Sequence, residues 1–186
     1  MKQRIVVLVP WRGGEKVRER NWHIAQPYLE AFGWPMFLGD KPGPWRRAAA
    51  INAAADEAGD WDVALIADAD TIPDPGATHA AVKHVQRTKG GARPHDHLWR
   101  LTPRGSRIIA GQGPKVFDRW RHASGLFRGG GLLVVHRVGW DTVGGFDESY
   151  IGWGYEDSAF NVALLTQLNW DRLPGVALHL WHQPAS

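Results

Sequence analysis

An alternation of short apolar runs and helical stretches in the first half of the chain is the strongest constraint on the fold. The run RIVVLV at 4–9 is rich in β-branched residues and has no polar alternation, which is typical of a strand covered on both faces. Two similar runs follow, PMFLGD at 35–40 and VALIADAD at 63–70. A helical stretch comes after each run, at about 15–32, 45–59 and 74–87. This order predicts an α/β fold with a mostly parallel sheet flanked by helices.

The second half of the chain is less regular. Residues 88–129 have no hydrophobic periodicity and are rich in Gly, Pro, Arg and His, so they are interpreted as a flexible, basic insert without regular structure. Regular patterns return with a strand at 129–137, a helix at 156–169 and a strand at 175–184. A length of 186 residues fits one domain. We therefore expect a single minimal domain.

The absence of cysteine restricts the kinds of site that the chain can form. Disulfides and thiolate metal sites are excluded, so any metal would have to bind carboxylates and imidazoles. The apolar run near the N-terminus is too short for a signal peptide, and no segment reaches the length of a membrane span. These features predict a cytoplasmic protein without a membrane span.

Positive charge is concentrated in the insert. The formal net charge of the chain is +3 and the sequence pI is about 9.4. Between Arg87 and Arg128 there are ten basic residues, and the only acids are Asp96 and Asp118. Such a segment could bind a phosphate-bearing substrate or a nucleic acid. It could equally be a solvated loop face, and the residues alone leave these alternatives open.

Two aspartates, Asp68 and Asp70, end the third predicted strand. At this spacing their carboxylates can lie on the same side of the strand, where they would repel each other. A divalent cation would remove the conflict, and hard cations such as Mg²⁺ or Mn²⁺ prefer such oxygens. The last segment, HLWH, adds His179 and His182 as candidate ligands beside Asp70. The alternatives are turn-forming aspartates and ordinary packed or surface histidines.

A further motif, GGFDESYIGWGYED, is dense in glycine and aromatic residues and ends at the start of a helix. Glu156 and Asp157 would lie in the first helical turn, where the helix dipole commonly favours acids. The functional alternative is that one carboxylate faces a pocket that contains Trp153. A carboxylate beside an aromatic ring can hold a sugar hydroxyl and deprotonate it.

Five motifs, taken in order, resemble those of glycosyltransferases with the GT-A fold, which has a Rossmann-like sheet. The resemblance is strongest to the inverting β-1,4-galactosyltransferase and chondroitin-synthase-like group. VVLVPWRGG resembles the first strand and nucleotide loop, WRRAAAINAA the helix that touches the nucleotide diphosphate, and ADADTIPD the D-x-D element. GGGLLVV followed by GGFDESYIGWGYED resembles the donor strand and the acceptor motif, and HLWH stands at the position of the late metal ligands.

The resemblance implies a role for each matching residue. Mn²⁺ or Mg²⁺ would be bound by Asp70, His182 and His179, with Asp68 near the ribose or the metal. Of these ligands, His179 is the one that departs from the family's pattern. The nucleotide would be bound by Pro10, Trp11, Arg12, Asp40 and Arg47, with Asp40 recognising uracil. The donor sugar would approach the backbone at Gly130 and Gly131, and the acceptor would be held by Trp153 and Glu156 and deprotonated by Asp157.

The implied function is metal-dependent, inverting transfer of a hexose or N-acetylhexosamine from a UDP-sugar to an acceptor hydroxyl. Related retaining N-acetylgalactosaminyltransferases tend to have Glu-Asn where this chain has Glu156-Asp157, so the carboxylate favours an inverting base. The implied layout is a nucleotide-binding half at about 1–87, the insert at 88–129, and a donor and acceptor half at 130–186. The acceptor could be a glycan, protein, lipid or nucleic acid. Three competing interpretations are a nucleotidyltransferase-like enzyme, a non-catalytic nucleotide-sugar or glycan-binding module, and a nucleic-acid-binding protein.

Overall fold

Two β-sheets and six helices make up the part of the chain that the structure describes. The computed structural model describes residues 3–113, the backbone of 123–127, and residues 130–152 and 154–183. The strands are β1 (Ile5–Pro10), β2 (Met36–Gly39), β3 (Val63–Ala67), β4 (Thr71–Pro73), β5 (Gly91–Arg93), β6 (His97–Leu101), β7 (Ala123–Phe127), β8 (Leu132–His136), β9 (Trp170–Arg172) and β10 (Val176–His179). The helices are α1 (Lys16–Glu30), α2 (Arg47–Ala58), α3 (Pro75–Thr88), α4 (Pro103–Gln112), α5 (Arg137–Val143) and α6 (Glu156–Gln167).

The larger sheet has six strands in the order β2-β1-β3-β8-β5-β9. Strand β8 is antiparallel to both of its neighbours, while β1 is parallel to β2 and β3, and β5 is parallel to β9. All strands except β8 therefore run in one direction. This confirms the prediction of a mostly parallel sheet in an α/β fold.

Helices cover both faces of this sheet, which explains why its first strand lacks polar alternation. Val6 and Leu8 pack in the core cluster that contains residues of α2 and α6. Val7 and Val9 point the other way and pack in the cluster that contains residues of α1 and α3. Because both faces of the strand are buried, apolar residues are needed at consecutive positions.

The small side chains of α2 let this helix lie close to the sheet. Its buried residues are mostly alanines. A Cβ atom on Gly39, at the end of β2, would collide with the backbone of Ala50. The close approach places the first turn of α2 at the carboxyl ends of the parallel strands, the edge where α/β folds bind ligands.

The interpretation of residues 88–129 as a loop without regular structure is wrong for the described residues. They contain β5, β6, α4 and β7, and β6 and β7 belong to a second sheet with the order β4-β10-β6-β7. In this sheet β6 is parallel to β10, and the other two pairs are antiparallel. The strands were missed because their partners lie far away in sequence, so no local pattern marks them. Trp99 and Leu101 become buried only where they meet Ile109 and Leu180.

Two other predicted boundaries change, and the short strands β4 and β9 and the helix α5 are added. The third strand ends at Ala67 rather than Asp70, because residues 68–70 form a turn. The last strand ends at His179, and the short helix α5 follows β8 directly.

Candidate functional site

The turn at 68–70 joins the two sheets. The backbone N–H of Asp68 donates to the carbonyl of Gly131 (2.9 Å), and the N–H of Thr71 donates to the carbonyl of Asp68 (3.0 Å). Gly131 has a φ of +97°, and a Cβ there would lie 3.1 Å from the hydroxyl of Thr71. Only glycine suits both requirements. The turn is thereby fixed against the strand that follows the insert.

Asp70, His179 and His182 form a candidate metal centre. One ligand atom from each residue lies within 4.8 Å of the others, the only such group found among the described residues. The Nε2 atom of His182 is 3.3 Å from Asp70 Oδ2, and that of His179 is 3.6 Å from Asp70 Oδ1. The three side chains are between 13% and 20% exposed, so an ion could reach them from solvent.

Pairing between β4 and β10 brings these ligands together. Thr71 pairs with His179, and the N–H of Leu180 donates to the carbonyl of Asp70 (2.8 Å). Two imidazoles and a carboxylate suit Mn²⁺ and related divalent ions. Burial and the nearby charge of His182 lower the pKa of His179, although Asp70 opposes this. The lowered pKa favours the neutral imidazole, which is the form that binds metals.

The segment that carries His182 is held by two buried polar side chains that the sequence did not single out. Asn21 donates from Nδ2 to the carbonyl of Trp181 (3.1 Å), and the N–H of Trp181 donates to Oγ of Ser106 (2.8 Å). Asn21 is fully buried and Ser106 is 2% exposed. Both backbone groups of Trp181 are therefore hydrogen-bonded between α1 and α4, which fixes the residue immediately before the candidate ligand His182.

Arg47 connects the D-x-D turn to the acid pair. Its Nε donates to Asp68 Oδ1 (2.7 Å), and its Nη1 donates to Asp157 Oδ1 (2.6 Å) and Glu156 Oε1 (3.2 Å). Arg47 is the first residue of α2, and the two acids open α6. The sequence predicted that Arg47 would bind the nucleotide, and the structure places its guanidinium among three carboxylates.

Acidic charge exceeds basic charge around this cluster. Burial raises the pKa of Asp68 to about 6, and the charges of Asp157 and Asp70 add to the effect while Arg47 opposes it. The repulsion expected for the two aspartates of the turn is therefore present. A divalent cation beside Asp70 would offset it.

Asp157 also lies against the donor strand. A Cβ atom on Gly130 would come within 2.5 Å of Asp157 Oδ2, so only a glycine leaves room for this carboxylate. One carboxylate oxygen is held by Arg47, and the other faces Gly130. Gly130, Gly131, Glu156 and Asp157, which were predicted as separate motifs, thus adjoin the D-x-D turn.

The last part of the acceptor motif is bound by two adjacent residues, Arg46 and Arg47. Gly152 forms a parallel bridge with Arg46, while Arg47 binds Glu156 and Asp157. Trp153, the predicted acceptor platform, lies outside the described residues. Asn52 further supports this region, because its side chain exchanges hydrogen bonds with the backbone of Phe146 (2.9 and 3.0 Å).

The predicted nucleotide residues 10–12 gather at the neighbouring strand ends. Pro10 ends β1 and is buried, and the half-buried ring of Trp11 packs against Trp22 with their centroids 5.6 Å apart. Arg12 forms a bidentate pair with Asp40 (2.6 to 2.9 Å) and also donates to the carbonyls of Gly43 and Lys41. This pairing holds the pKa of the Asp40 carboxyl below its usual value. The sequence assigned Arg12 and Asp40 separately, and here they bind each other.

A buried histidine behind the donor strand was also missed. His95 is fully buried, and neither ring nitrogen reaches hydrogen-bond geometry with a described residue. Burial and the charge of Arg93 lower its pKa to about 4, although the nearby backbone of Gly130 opposes this. His95 is therefore neutral at ordinary pH. The sequence carried no signal for it, because its burial depends on the second sheet.

The described helices also bear on membrane insertion: none of them is both long and apolar enough to span a bilayer.

Comparison with known families and sequences gives one match. A family described as the N-terminal domain of galactosyltransferase matches residues 116–179, about a third of the chain. This stretch contains the segments that the sequence analysis compared with the donor strand and the acceptor motif. No curated protein matches the sequence.

Several solved structures share the fold at low sequence identity. A mutant of the Drosophila β1,4-galactosyltransferase 7, in complex with manganese, UDP-Gal and xylobiose, has a TM-score of 0.60 and 20% identity, covering 94% of this chain and 68% of that chain. GalNAc-T7 with UDP, GalNAc and Mn²⁺ has a TM-score of 0.61 and 12% identity, covering 98% and 44%. The mannosyltransferase PcManGT from Pyrobaculum calidifontis, with GDP-Man and Mn²⁺, has a TM-score of 0.58 and 16% identity, covering 100% and 59%.

These likenesses confirm the resemblance to GT-A glycosyltransferases that the motifs predicted. The chain spans between 44% and 68% of the length of the three solved relatives. The family match and the shared fold together support a glycosyltransferase.

Proposed function

We propose that this protein transfers a hexose or N-acetylhexosamine from a UDP-sugar to an acceptor hydroxyl, with inversion at the anomeric carbon and with dependence on Mn²⁺ or Mg²⁺. The observation that carries the proposal is the grouping of Asp70, His179 and His182 within 4.8 Å, at the turn whose other aspartate binds Arg47. Support also comes from structures of the same fold that were solved with manganese and either a nucleotide sugar or UDP and GalNAc.

Asp70, His179 and His182 would hold the ion, as their donor set and mutual distances fit it. When bound, the ion supplies positive charge that neutralises the diphosphate and stabilises the leaving group. Pro10, Trp11, Arg12 and Asp40 would form the nucleotide pocket at the ends of β1 and β2. The Arg12–Asp40 pair would then hold the pocket in shape, with the exposed side of Asp40 directed at the base.

Asp157 would be the general base. The acceptor oxygen forms a bond to the anomeric carbon as the bond from that carbon to the diphosphate oxygen breaks. The acceptor proton passes to Asp157, and UDP leaves with the electron pair of the broken bond. The carboxylate oxygen that faces Gly130 lies against the donor strand, and we expect it to act from the side of the sugar opposite the leaving group. One displacement of this kind inverts the anomeric configuration.

Arg47 and Glu156 would position this base. Glu156 is 7% exposed and shares Nη1 of Arg47 with Asp157, so its carboxylate helps to fix the guanidinium. A guanidinium that bridges Asp68 and Asp157 would hold these two carboxylates in a fixed orientation. Gly131 would leave the backbone of the donor strand open to the sugar, and Trp153 would hold the acceptor.

The test is release of UDP from a panel of nucleotide sugars, with and without Mn²⁺. We expect one donor to be consumed only with the metal, and Asp70→Ala to lower the rate more than about 100-fold, because loss of a supporting residue alone costs 10- to 100-fold. The matched control is Asp60→Ala, an exposed aspartate that precedes β3 at its opposite end. Asp157→Asn should keep UDP affinity and lose transfer, and NMR of the product should show inversion.

Two results would overturn the proposal. Metal-independent release would contradict the role assigned to Asp70, His179 and His182, and a product that keeps the donor's anomeric configuration would contradict Asp157 as the base.

The competing functions predict other results. A non-catalytic module would bind UDP with Mn²⁺ and release no sugar. A nucleic-acid-binding function gains no support from Arg93, because this basic residue of the insert is buried and its guanidinium lies 5.4 Å from the ring centre of Trp170. The single-domain layout and the cytoplasmic location stay predictions.

A further inference from the structure

His95 is a buried polar side chain to which the proposed reaction assigns no role. It is fully buried, and neither ring nitrogen forms a hydrogen bond with a described residue. Buried nitrogen atoms without a partner destabilise a folded protein, so folding alone would favour an apolar side chain of similar size at this position. The histidine is therefore better explained by a function than by packing.

The backbone around His95 is held against the segment that precedes β10. The N–H groups of Asp96 and His97 both donate to the carbonyl of Gly175 (3.3 Å), and the N–H of Gly175 donates to the carboxylate of Asp96 (3.1 Å). A Cβ atom on Gly175 would come within 3.4 Å of the Cα of His95. The ring thus projects from a fixed backbone, and its unpaired nitrogens do not result from a loose loop.

The ring lies beside the start of the donor strand. Strands β5 and β8 are antiparallel with Ala92 opposite Val134, and this register, when it is continued, brings His95 level with the Gly130–Gly131 pair. Burial lowers the pKa of His95, whereas the nearby backbone of Gly130 acts to raise it. A backbone group that favours the protonated ring is a hydrogen-bond acceptor, so the carbonyl of Gly130 is the group that faces the imidazole.

Gly130 in turn adjoins the proposed base. A Cβ atom on Gly130 would lie 2.5 Å from Asp157 Oδ2, and the carbonyl of the next residue, Gly131, accepts from the N–H of Asp68 (2.9 Å). A displacement of Gly130 would therefore change the space between Asp157 and the donor strand. Because His95 is fully buried, it would act on the site through this backbone.

We propose that His95 is a positioning residue for the transfer reaction. Its ring N–H donates a hydrogen bond to the carbonyl of Gly130 when a nucleotide occupies the site, and this bond holds the donor strand at its distance from Asp157. A neutral imidazole carries the one N–H that the bond needs. Such hydrogen bonds are often poorly aligned in a free enzyme and tighten when the substrate binds. This inference rests on the proposed function.

The experiment compares His95→Leu, His95→Gln and the matched control His136→Leu. Leucine removes the donor, whereas glutamine keeps an N–H group. His136 is the other buried histidine among the described residues and lies at the far end of β8, where its Nδ1 accepts from the N–H of Val138 (3.1 Å). UDP release is measured with Mn²⁺ from UDP-galactose, UDP-glucose and UDP-N-acetylgalactosamine, together with the melting temperature.

The two leucine variants should behave in opposite ways. His95→Leu should lower turnover at least about tenfold and leave the KM for the donor within about twofold, because a misplacement of about 1 Å at a reacting group can cost about 100-fold. His95→Gln should recover turnover to within about threefold of the native value. His95→Leu should not lower the melting temperature, whereas His136→Leu should lower it and keep native turnover.

A second measurement uses the native protein and decides the matter should the leucine variant not fold. In protein labelled with ¹⁵N-histidine, saturating UDP and Mg²⁺ should shift a ring N–H proton of His95 downfield and slow its exchange with water, as a new hydrogen bond to a carbonyl requires. The signal is identified by its loss from whichever His95 variant folds. This readout needs nucleotide binding but no transfer.

Three results would overturn the positioning role: native turnover in His95→Leu, an equal loss of turnover in His95→Leu and His95→Gln, or a ring signal of His95 that does not change with UDP and Mg²⁺. Each of these leaves the proposed function intact if the native protein releases UDP only with Mn²⁺. Absence of that release from the native protein would overturn the proposed function, and the role of His95 with it.

Discussion

Replacing Gly130 with alanine is expected to slow sugar transfer about 100-fold through a displacement of Asp157. The backbone of Gly130 does not have the positive φ that would exclude alanine, so the effect comes from the new methyl group. That group would lie 2.5 Å from Asp157 Oδ2, whereas ordinary contact begins at 3.4 Å. The carboxylate therefore has to retreat by about 0.9 Å, which is 3.4 minus 2.5. Its other oxygen is held by Arg47 at 2.6 Å, so the side chain cannot retreat without disturbing that bond.

A misplacement of about 1 Å at a reacting group can cost about 100-fold in rate, or about 2.7 kcal/mol in the activation barrier. UDP affinity with Mn²⁺ should stay within a factor of two or so, because the metal ligands are not displaced. The assay is steady-state transfer at saturating acceptor, together with calorimetric titration of UDP. Gly111→Ala is the matched control, since a Cβ there meets nothing within 4 Å and alanine suits its helix.

The two roles assigned to Gly130 give different results. If its purpose is room for Asp157, the turnover number falls and the KM for the UDP-sugar changes little. If its purpose is room for the donor sugar, the KM rises and the turnover number survives. An alanine variant with native turnover would refute the placement of Asp157 as the base.

Two further predictions concern residues that hold the site in place. Asn21→Ala should weaken Mn²⁺ binding about tenfold, because it releases the carbonyl of Trp181. Electron paramagnetic resonance measures the affinity, and Gln26→Ala on the same helix is the control. Unchanged affinity would show that His182 does not depend on this contact. The lowered pKa of His95 means that folding favours its neutral form, so its stabilising contribution is complete above pH 6.5 and is lost as the pH falls towards 4. Urea unfolding at pH 7.5 and pH 5 should show that the native protein loses about 2 kcal/mol more stability over this change than the His95→Leu variant loses. An equal pH dependence in both proteins would contradict this.

The parallel part of the sheet was predictable because its signals are local. Each strand needs apolar residues on both faces, and β1 meets this need with consecutive residues, Val6 to Val9. The crossover helices carry their own start signals, such as Asp74, whose side chain accepts from the N–H of Ala77. The location of Asp68 and Asp70 at the ligand-binding edge follows from these elements alone.

The partners of the predicted site residues were much less predictable. Arg47 was assigned to the nucleotide from its motif, but its guanidinium lies among Asp68, Glu156 and Asp157. No spacing in the sequence signals such a contact, because it depends on how α2 and α6 are oriented. Donor phosphates would have to compete with these carboxylates for Arg47 or be held mainly by the metal. The second arrangement agrees better with an arginine that is 16% exposed and whose Nε and Nη1 already bind acids.

The candidate metal centre shows most clearly why motifs alone do not define a site. Asp70 and His179 adjoin because Thr71 pairs with His179 and Leu180 binds the carbonyl of Asp70. Side chains alternate between the two faces of a strand, so a slip of one residue between β4 and β10 would turn His179 away from Asp70. Every motif in the sequence would remain intact after such a slip, and the ligand set would be lost. The site therefore depends on the second sheet, whose register is fixed by the apolar residues that the sequence left in an unstructured insert.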